Sequence, residues 1–370
     1  MPTYQTPGIY REDRFPAPAA ELQTGVPAFL GYADKESLNT AQRLTHWSQF
    51  EQQDPPLHDG YLAEAVRGFF ENGGQVCYVI RLDDDLPPEA ALGQGLAALE
   101  PLNTIDLICA PDIMRSPAEA ERLQRMVLQH CDSLGDRFAI LDSGPSINSE
   151  IDLKQRQGLK GTNGALYFPW VGVRPEGGKV TYVPPCGHVA GVYARSDQQV
   201  GVHKAPANQA LVGVVSLQVE LDTVQQGPLN DEHINCLRAF PGRGIRVWGA
   251  RTLSRDPAWT YINVRRVFLT AGRWIERNLT GVVYEPNTPL LWNRIQRELT
   301  TYFSKLFRQG ALKGRATEEA FYIKCDAETN PPEVREAGQV ITEIGLAPAV
   351  PGEFIVVRII HSSSGMTMAG

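Results

Sequence analysis

Short apolar runs alternate with amphipathic stretches in the first half of the chain, and this alternation constrains the fold more than any other feature. The runs predict buried strands at Gly25–Tyr32, Val76–Ile80, Ile105–Cys109 and Phe138–Leu141. Between the runs, residues 61–70 and 117–132 are predicted to be helical. Strands that alternate with helices indicate a mixed α/β (α+β) fold built on a mostly parallel sheet. The 370 residues suffice for two domains or one large α/β unit.

The second half has clearer helix signals. Asp256-Pro257 predicts the start of a helix that continues through Ile262–Leu279, and Thr288-Pro289 starts another that ends at Gly310. By contrast, residues 143–164 are rich in Gly, Ser and Asn, which predicts a surface loop.

Charge is distributed unevenly along the chain. Residues 1–160 contain 13 basic and 24 acidic side chains, whereas residues 161–370 contain 22 and 18. The basic excess includes a block of eight arginines: Arg243, Arg246, Arg251, Arg255, Arg265, Arg266, Arg273 and Arg277. Such polarity indicates a partner on one side of the protein, although several solvated helix faces would give the same pattern.

Several classes of protein are disfavoured. The apolar stretches are shorter than the roughly 18 residues that a membrane span requires, and the N-terminus lacks the features of a secretory signal, so we expect no direct membrane insertion. The six cysteines are far apart and have apolar neighbours, which is typical of reduced core thiols in a protein made in the cytoplasm.

Both ends of the chain have the pattern of extended arms. Four prolines in the first two dozen residues prevent a long helix there, while Ile9 and Tyr10 are suited to a short strand. Near the other end, Glu353–Ile360 is apolar on both faces apart from Arg358, so it must be covered on both sides. It is either the last strand of its own sheet or a strand added to the sheet of a neighbouring molecule.

The helix after Thr288 carries a row of basic side chains opposite its apolar stripe. A solvated helix more often mixes both signs of charge, which favours a partner surface. We therefore give a partner surface the same weight as a solvated face. The residues predicted to form this basic face are Arg294, Arg297, Lys305, Arg308 and Lys313.

The sequence offers little catalytic chemistry. It has no phosphate-binding loop, no nucleophile elbow and no pair of histidines one helical turn apart. Ser143, His188 and Asp197 as a triad, or His188, His203 and His233 around a metal, have only residue type in their favour. We therefore predict no catalytic residues, no cofactor, no metal and no nucleic-acid partner.

A series of short motifs runs through nearly the whole chain. The motifs include Thr6–Tyr10 (TPGIY), Gly68–Gly74 (GFFENGG), Val183–Arg195 (VPPCGHVAGVYAR), His203–Asn208 (HKAPAN), Pro241–Arg251 (PGRGIRVWGAR), Tyr261–Arg266 (YINVRR), Glu318–Asp326 (EEAFYIKCD) and Ile344–Pro348 (IGLAP). In this order the motifs resemble the phage tail sheath family. His203 stands where an aromatic residue is expected in that family's pattern. The short length makes the chain most similar to sheaths of extracellular contractile injection systems and contractile bacteriocins.

The resemblance implies a structural subunit that polymerises as stacked six-fold rings around an inner tube and contracts to drive the tube through a target membrane. It implies an N-terminal arm over residues 1–23, an outer domain over 24–230, an inner tube-facing domain over 231–351 and a C-terminal arm over 352–370. The partners implied are other sheath subunits, including possible paralogues, the inner tube, and baseplate and terminal cap proteins. The particle would be assembled in the cytoplasm and could be released outside the cell.

The resemblance also implies roles for individual residues. The strands given to neighbouring subunits would contain Ile9 and Tyr10 at one end and Phe354, Ile355, Val356, Val357 and Ile359 at the other, and the basic face would meet the tube. Two other hypotheses stay open: a nucleotide-using α/β enzyme, and a scaffold of the same fold that does not contract.

Overall fold

A computed structural model describes residues 22–32, 37–53, 60–145, 149–174 and 178–353. Within these ranges the strands are β1 (Pro27–Tyr32), β2 (Gln42–Leu44), β3 (Cys77–Leu82), β4 (Leu107–Cys109), β5 (Phe138–Asp142), β6 (Gly164–Phe168), β7 (Val171–Val173), β8 (Thr181–Val183), β9 (Gln209–Ala210), β10 (Val214–Leu217), β11 (Ile234–Phe240), β12 (Gly244–Trp248), β13 (Phe321–Lys324) and β14 (Glu343–Leu346). The helices are α1 (Trp47–Gln53), α2 (Leu62–Glu71), α3 (Pro88–Leu99), α4 (Ala120–Leu134), α5 (Ser149–Gly158), α6 (Cys186–Gln199), α7 (Thr223–Asp231), α8 (Ile262–Leu279), α9 (Pro289–Arg308), α10 (Thr317–Ala320) and α11 (Pro332–Glu336).

The largest sheet has nine described strands in the order β2-β3-β1-β4-β5-β6-β11-β12-β9. Its six inner strands, from β3 to β11, run parallel, so that Phe29 of β1 lies between Val79 of β3 and Cys109 of β4. The strands β2, β12 and β9 pair antiparallel at the two sides. The predicted mixed α/β fold with a mostly parallel sheet is confirmed.

Helices cover both faces of this sheet. On one face α2 and α6 bury residues such as Phe69 and Val189, and on the other α3 and α4 bury residues such as Leu96 and Val127. The fully apolar strands of the sequence follow from this arrangement, because a parallel sheet with helices on both sides has no face exposed to water.

Two glycines of α6 allow its close contact with α2. A Cβ atom on Gly187 would lie 2.1 Å from the carbonyl oxygen of Ala65, and one on Gly191 would lie 2.5 Å from that of Phe69. Any side chain at these two positions would therefore force the helices apart. The motif Val183–Arg195 thus has a packing role in this fold.

A smaller core lies beyond the main sheet. The apolar stripe of α9 packs against the end of α8 and against the two-stranded sheet formed by β13 and β14. Trp274 of α8 stacks on Tyr302 of α9 with ring centroids 4.0 Å apart. Helix α8 joins the two cores, because Ile262 and Leu269 belong to the core of the main sheet and Ala271 to the smaller one.

Helix α8 begins later than its sequence signals predict. Asp256 Oδ1 accepts a hydrogen bond from the amide of Ala258 at 2.9 Å and caps a separate 3-10 turn at Pro257–Trp259. Tyr261 is extended and forms an isolated bridge with Arg251, so the α-helix starts only at Ile262. The predicted helix body is correct, and the predicted start is wrong because Tyr261, extended in its bridge with Arg251, separates the 3-10 turn from the α-helix.

The prediction of a surface loop over residues 143–164 is also wrong. This segment contains α5, and Arg156 at its end is 2 % exposed. The Arg156 guanidinium donates to the carbonyl oxygens of Glu232, Leu159 and Leu253 at 2.7, 2.6 and 2.8 Å. Two carbonyls that are distant in sequence and one nearby carbonyl thus stabilise a polar helix that has little apolar periodicity of its own.

Candidate functional site

Glu353, the last described residue, is held by three side chains from two separate stretches of chain. Arg251 Nε donates to the two carboxylate oxygens at 3.0 and 3.2 Å, and Arg251 Nη2 donates to Oε2 at 2.8 Å. The Tyr261 hydroxyl donates to Oε2 and Asn230 Nδ2 donates to Oε1, both at 3.2 Å. We call Asn230, Arg251, Tyr261 and Glu353 the C-terminal anchor.

The C-terminal anchor is a sheltered charge pair with matched geometry. The side chains of Arg251 and Glu353 are 14 % and 21 % exposed, so water screens their attraction only in part. A planar guanidinium that meets a carboxylate through two nitrogen atoms fixes direction as well as distance. Burial and the Glu353 carboxylate raise the pKa of Tyr261, so its hydroxyl keeps the proton that it donates.

A second cluster holds the other end of the described chain, where residues 22–26 enter β1. The Asp106 carboxylate accepts from the amides of Gly25 and Val26 at 3.0 and 2.7 Å. Arg266 Nη2 donates to Asp106 at 3.0 Å and to Asp197 at 2.6 Å, while Nη1 donates to Asp197 at 2.9 Å. We call Asp106, Asp197, Arg266 and Arg273 the N-terminal anchor.

The Arg266 guanidinium is almost fully buried, with its side chain 3 % exposed. Burial alone would favour the neutral form, but the Asp197 and Asp106 carboxylates outweigh it and raise the pKa of Arg266. The guanidinium also lies 5.0 Å from the centre of the Tyr193 ring. One cation between two carboxylates leaves a negative charge, which the two backbone N–H groups on Asp106 offset.

Arg273 completes the N-terminal anchor about two turns farther along α8. Its Nη2 donates to the carbonyl oxygens of Asn103 and Thr104 at 3.1 and 3.2 Å, and its Nη1 lies 3.5 Å from the carbonyl oxygen of Gln23. Arg273 therefore ties α8 to the segment that contains Gln23 and to the segment that contains Asn103 and Thr104. These two segments meet where Asp106 binds the amides of residues 25 and 26.

Both anchors depend on one stretch of chain. Arg251 and Tyr261 lie in the segment that leads into α8, and Arg266 and Arg273 lie on α8 itself. The two ends of the described chain are thus attached to neighbouring positions of one element that also joins the two cores. This stretch is the candidate site, because the described chain is attached to it at both ends.

The arginine block is mixed: two of its members are buried, three are half-buried and three are exposed, so that its charge faces a partner stays a prediction. Besides the anchor residues, Arg265 donates to Asn163 at 2.6 Å and Arg243 and Arg246 bond Asn208 at 3.0 and 2.7 Å. Arg255 pairs with Glu232. Arg277 is exposed.

The predicted basic face on α9 has two kinds of member. Arg294 is paired with Glu285 at 2.5 Å and with Glu298 at 3.1 Å. Four members of the face are exposed to water, and they are Arg297, Lys305, Arg308 and Lys313. Lys313 lies beyond the helix, where its amide donates to the carbonyl of Ala347 at 2.8 Å.

The predicted strand arms lie outside the described residues. These are Ile9 and Tyr10 at one end and Phe354, Ile355, Val356, Val357 and Ile359 at the other. Their role in neighbouring subunits stays a prediction.

The residues considered for catalysis have structural roles here. Asp197 is engaged by Arg266, and the His188 ring packs on Gly68, where a Cβ atom would meet it at 2.5 Å. Burial lowers the pKa of His188 to about 4, so the ring is neutral near pH 7. Among the described residues, no three His, Cys, Asp or Glu side chains are grouped closely enough to hold a metal ion. No helix in the described ranges is long and apolar enough to cross a bilayer.

Sequence reasoning missed both anchors. Glu353 lies 102 residues after Arg251, and Asp106 lies 160 residues before Arg266, so spacing gives no sign of either pair. One usable signal was present: Asp106 stands inside the apolar run Ile105–Cys109, where an acid requires a partner.

The sequence matches two family models. The phage tail sheath protein central domain matches residues 90–253, and the phage tail sheath C-terminal domain matches residues 254–361. The tail sheath protein of Salmonella phage ViI is 28 % identical over 174 residues, which are 46 % of this chain and 27 % of the relative. A putative prophage major tail sheath protein of Pseudomonas aeruginosa strain UCBPP-PA14 is 23 % identical over 66 % of this chain and 63 % of the relative. The match thus spans about a quarter of the phage ViI protein.

Solved structures match over almost the full length. A chain in the baseplate of the anti-feeding prophage, in a six-fold symmetrised reconstruction, is 31 % identical with a TM-score of 0.79, covering 97 % of this chain and all (100 %) of that one. A chain of the contracted sheath complex of PVC, an extracellular contractile injection system, is 27 % identical with a TM-score of 0.79, covering 98 % and 99 %. The predicted similarity to short sheaths of contractile injection systems is confirmed, and the chain belongs to the phage tail sheath family.

Proposed function

We propose that this protein is the structural subunit of a contractile sheath. Copies polymerise as stacked rings around an inner tube, and the sleeve shortens to drive the tube through a target membrane. The observation that carries the proposal is the full-length likeness to the contracted PVC sheath complex. The contracted helical sheath of the anti-feeding prophage supports it with 30 % identity, a TM-score of 0.77 and 97 % coverage of this chain.

The small sheet of β13 and β14 is the receiver that we propose for the arms of neighbouring subunits. Two strands alone are marginally stable in water, and adding strands at their edges satisfies unpaired backbone groups. Apolar side chains on and beside this sheet are exposed, with Tyr322 at 59 % and Ile341 at 41 %. An added strand with the apolar sequence of Phe354–Ile360 would cover such side chains.

The exposed cations of the α9 basic face are proposed to meet an acidic inner tube. The exposed members Arg297, Lys305 and Arg308 lie on a helix whose opposite side is buried, so they point away from the small core. Charge pairing at an interface of this kind guides docking and register, and salt weakens it.

The remaining parts of the proposal follow from the family. The acidic outer part, residues 24–230, would face water, and the inner part, residues 231–351, would face the tube. This boundary falls at the last residue of α7, within the region that supplies strands to the main sheet. Baseplate and terminal cap proteins would contact the ends of the sleeve, and assembly would take place in the cytoplasm before any release of the particle. In this proposal no enzymatic step is needed, because a larger area buried between subunits in the contracted sleeve would supply the energy.

The second candidate is a scaffold of the same fold that does not contract. It is kept because the structure shows one conformation of the subunit, whereas contraction requires two. A nucleotide-using enzyme has less support. In open α/β sheets, ligands bind at the carboxyl ends of the strands. At that edge of this sheet, the carboxylates of Asp112 and Asp142 accept hydrogen bonds from the amides of Tyr32 and Cys186 at 2.7 and 2.8 Å, so both acids are engaged within the fold.

Electron microscopy of the purified protein and of its native particle tests the proposal. We expect striated sleeves in a long state and a short state, which differ in helical rise. Sleeves of one length under all conditions would favour the scaffold. Monomers that never assemble at high concentration would refute both.

A further inference from the structure

The last described segment of the chain is attached to its own subunit step by step. After β14, the amides of Ala347 and Ala349 donate to the carbonyls of Ala320 and Ala311 at 2.9 and 3.0 Å. Asn263 Nδ2 then donates to the carbonyl of Ala349 at 3.2 Å. We call residues 347–353 the strap. It runs from the small core to the C-terminal anchor beside the main sheet, so that Glu353 is its far end.

The character of the sequence changes abruptly at Glu353. Up to this residue the strap is held by hydrogen bonds to its own chain, and the carboxylate uses both oxygens within the anchor. The next seven residues, Phe354–Ile360, are apolar on both faces apart from Arg358 and have to be covered. A directional ion pair placed directly before such a segment sets the position and the direction from which the segment starts.

We propose that Glu353 is the positioning residue of the C-terminal arm. Its pairing with Arg251 ends the part of the chain that belongs to its own subunit and aims the arm, from Phe354 onward, at a second copy of this chain. This inference rests on the proposed sheath function, and it adds the residues that separate the subunit from its arm.

The physical effect of the anchor is on the length and freedom of the tether. If Glu353 were released, the chain from Val350 onward would join the arm and add about 13 Å of reach at roughly 3.3 Å per residue. A longer and undirected tether lowers the effective concentration of the arm at the neighbouring sheet. Assembly would then require more protein, although the fold of the subunit itself would be intact.

The test compares the wild-type protein with Glu353→Gln, which keeps the shape of the side chain and removes its charge. The matched control is Glu232→Gln, which breaks the pair with Arg255 in the same region but does not touch the strap. Arg251→Lys keeps the positive charge but loses the two-nitrogen contact, so an intermediate result is expected. The three readouts are the protein concentration at which sleeves sediment, the melting temperature of the dispersed subunit, and hydrogen exchange of residues 349–353.

We expect Glu353→Gln to raise the sleeve-forming concentration several-fold and to speed exchange in the strap, with a melting temperature within about 2 °C of wild type. Glu232→Gln should match the wild type in all three. Wild-type assembly and wild-type exchange in Glu353→Gln would overturn the inference, as would an equal loss of melting temperature and assembly in both variants. A wild-type protein with a protected strap and no sleeves would refute the sheath function while supporting the anchor.

Discussion

Helices α8 and α9 pack against each other, and both are rich in arginine, yet they use the charge in opposite ways. On α8, Arg266 and Arg273 are buried and bind groups of their own chain. On α9, Arg297 and Arg308 are exposed. The difference lies in what each helix packs against. Helix α8 lies between two cores, so little of its surface is exposed to water. Helix α9 covers one core, and its opposite side is exposed.

This difference shows that a cluster of one charge in a sequence has no fixed meaning. The buried guanidinium groups of Arg266 and Arg273 meet carboxylates and carbonyls of the chain beside the main sheet, and they tie α8 to it. The same group on a helix with one buried side is available to a partner. Four experiments break or sharpen this comparison.

Replacing the buried cation has the largest expected effect. Arg266→Ala leaves the Asp106 and Asp197 carboxylates buried without their cation, and we expect a loss of about 3–5 kcal/mol in the free energy of unfolding. Urea unfolding of the dispersed subunit measures it. The control is Arg277→Ala on the same helix, which is exposed and should change stability by less than about 0.5 kcal/mol. Equal effects of the two variants would show that burial of Arg266 does not set its contribution apart from that of an exposed arginine on the same helix.

The next largest effect is expected from Asp142, a buried acid that is not paired with a cation among the described residues. Burial raises the pKa of Asp142 from 3.8 to about 7, although the amide of Cys186 donates to it. Because the pKa of Asp142 is higher in the folded protein than in the unfolded chain, the protonated side chain stabilises the fold. This contribution to the free energy of unfolding is complete below about pH 4 and is lost as the pH rises through about 7.

Asp142→Asn should remove most of this slope, which is at most about 1.4 kcal/mol per pH unit for one group. Urea unfolding at a series of pH values measures it. Asp112, whose pKa burial raises to about 6, should leave a smaller slope in the variant. Because the buried neutral His188 contributes a slope of the opposite sign between about pH 4 and 6.5, the deciding quantity is the difference between variant and wild type, and an equal pH dependence of the two would contradict the assignment.

The exposed side of α9 is tested through tube docking. Arg297→Glu with Arg308→Glu reverses two exposed charges, and we expect affinity for the tube to fall about tenfold at low ionic strength and less at high salt. Co-sedimentation with tubes measures it. Arg294→Gln should have a smaller effect, because Arg294 is already paired with Glu285 and Glu298. The control Arg125→Glu reverses an exposed charge on α4 and should dock normally. Unchanged docking of the double variant would refute the basic face as the tube contact.

The connection between the two helices gives the smallest effect. Tyr284 has φ at 69° and is fully exposed, a backbone conformation that suits glycine and is strained for an aromatic residue. Tyr284→Gly should therefore leave the dispersed subunit equally stable or up to about 1 kcal/mol more stable. Thermal unfolding measures it, with Val283→Gly, at φ −64°, as a control that should be destabilised. A loss of assembly in Tyr284→Gly alone would show that the strained residue serves a contact between molecules.

Local pattern was a good guide where packing agreed with it. The bodies of α8 and α9 and the parallel strands were predicted because their apolar spacing is regular. Helix α5 was missed because Arg156, which is polar, is buried through carbonyls that lie far away in sequence. The start of α8 was misplaced because the bridge between Arg251 and Tyr261 overrides a good capping signal.

By itself, the sequence determined the class of fold and the family, whereas the extended arms at both chain ends stay a prediction. These are encoded in periodicity, in proline and glycine positions and in a long series of short motifs, all of which are local. Only the tertiary structure decided which arginines are internal and where the described chain is anchored at Asp106 and at Glu353. The physical reason is that an ion pair is made by the distance between two side chains in space, and their separation along the chain does not predict it.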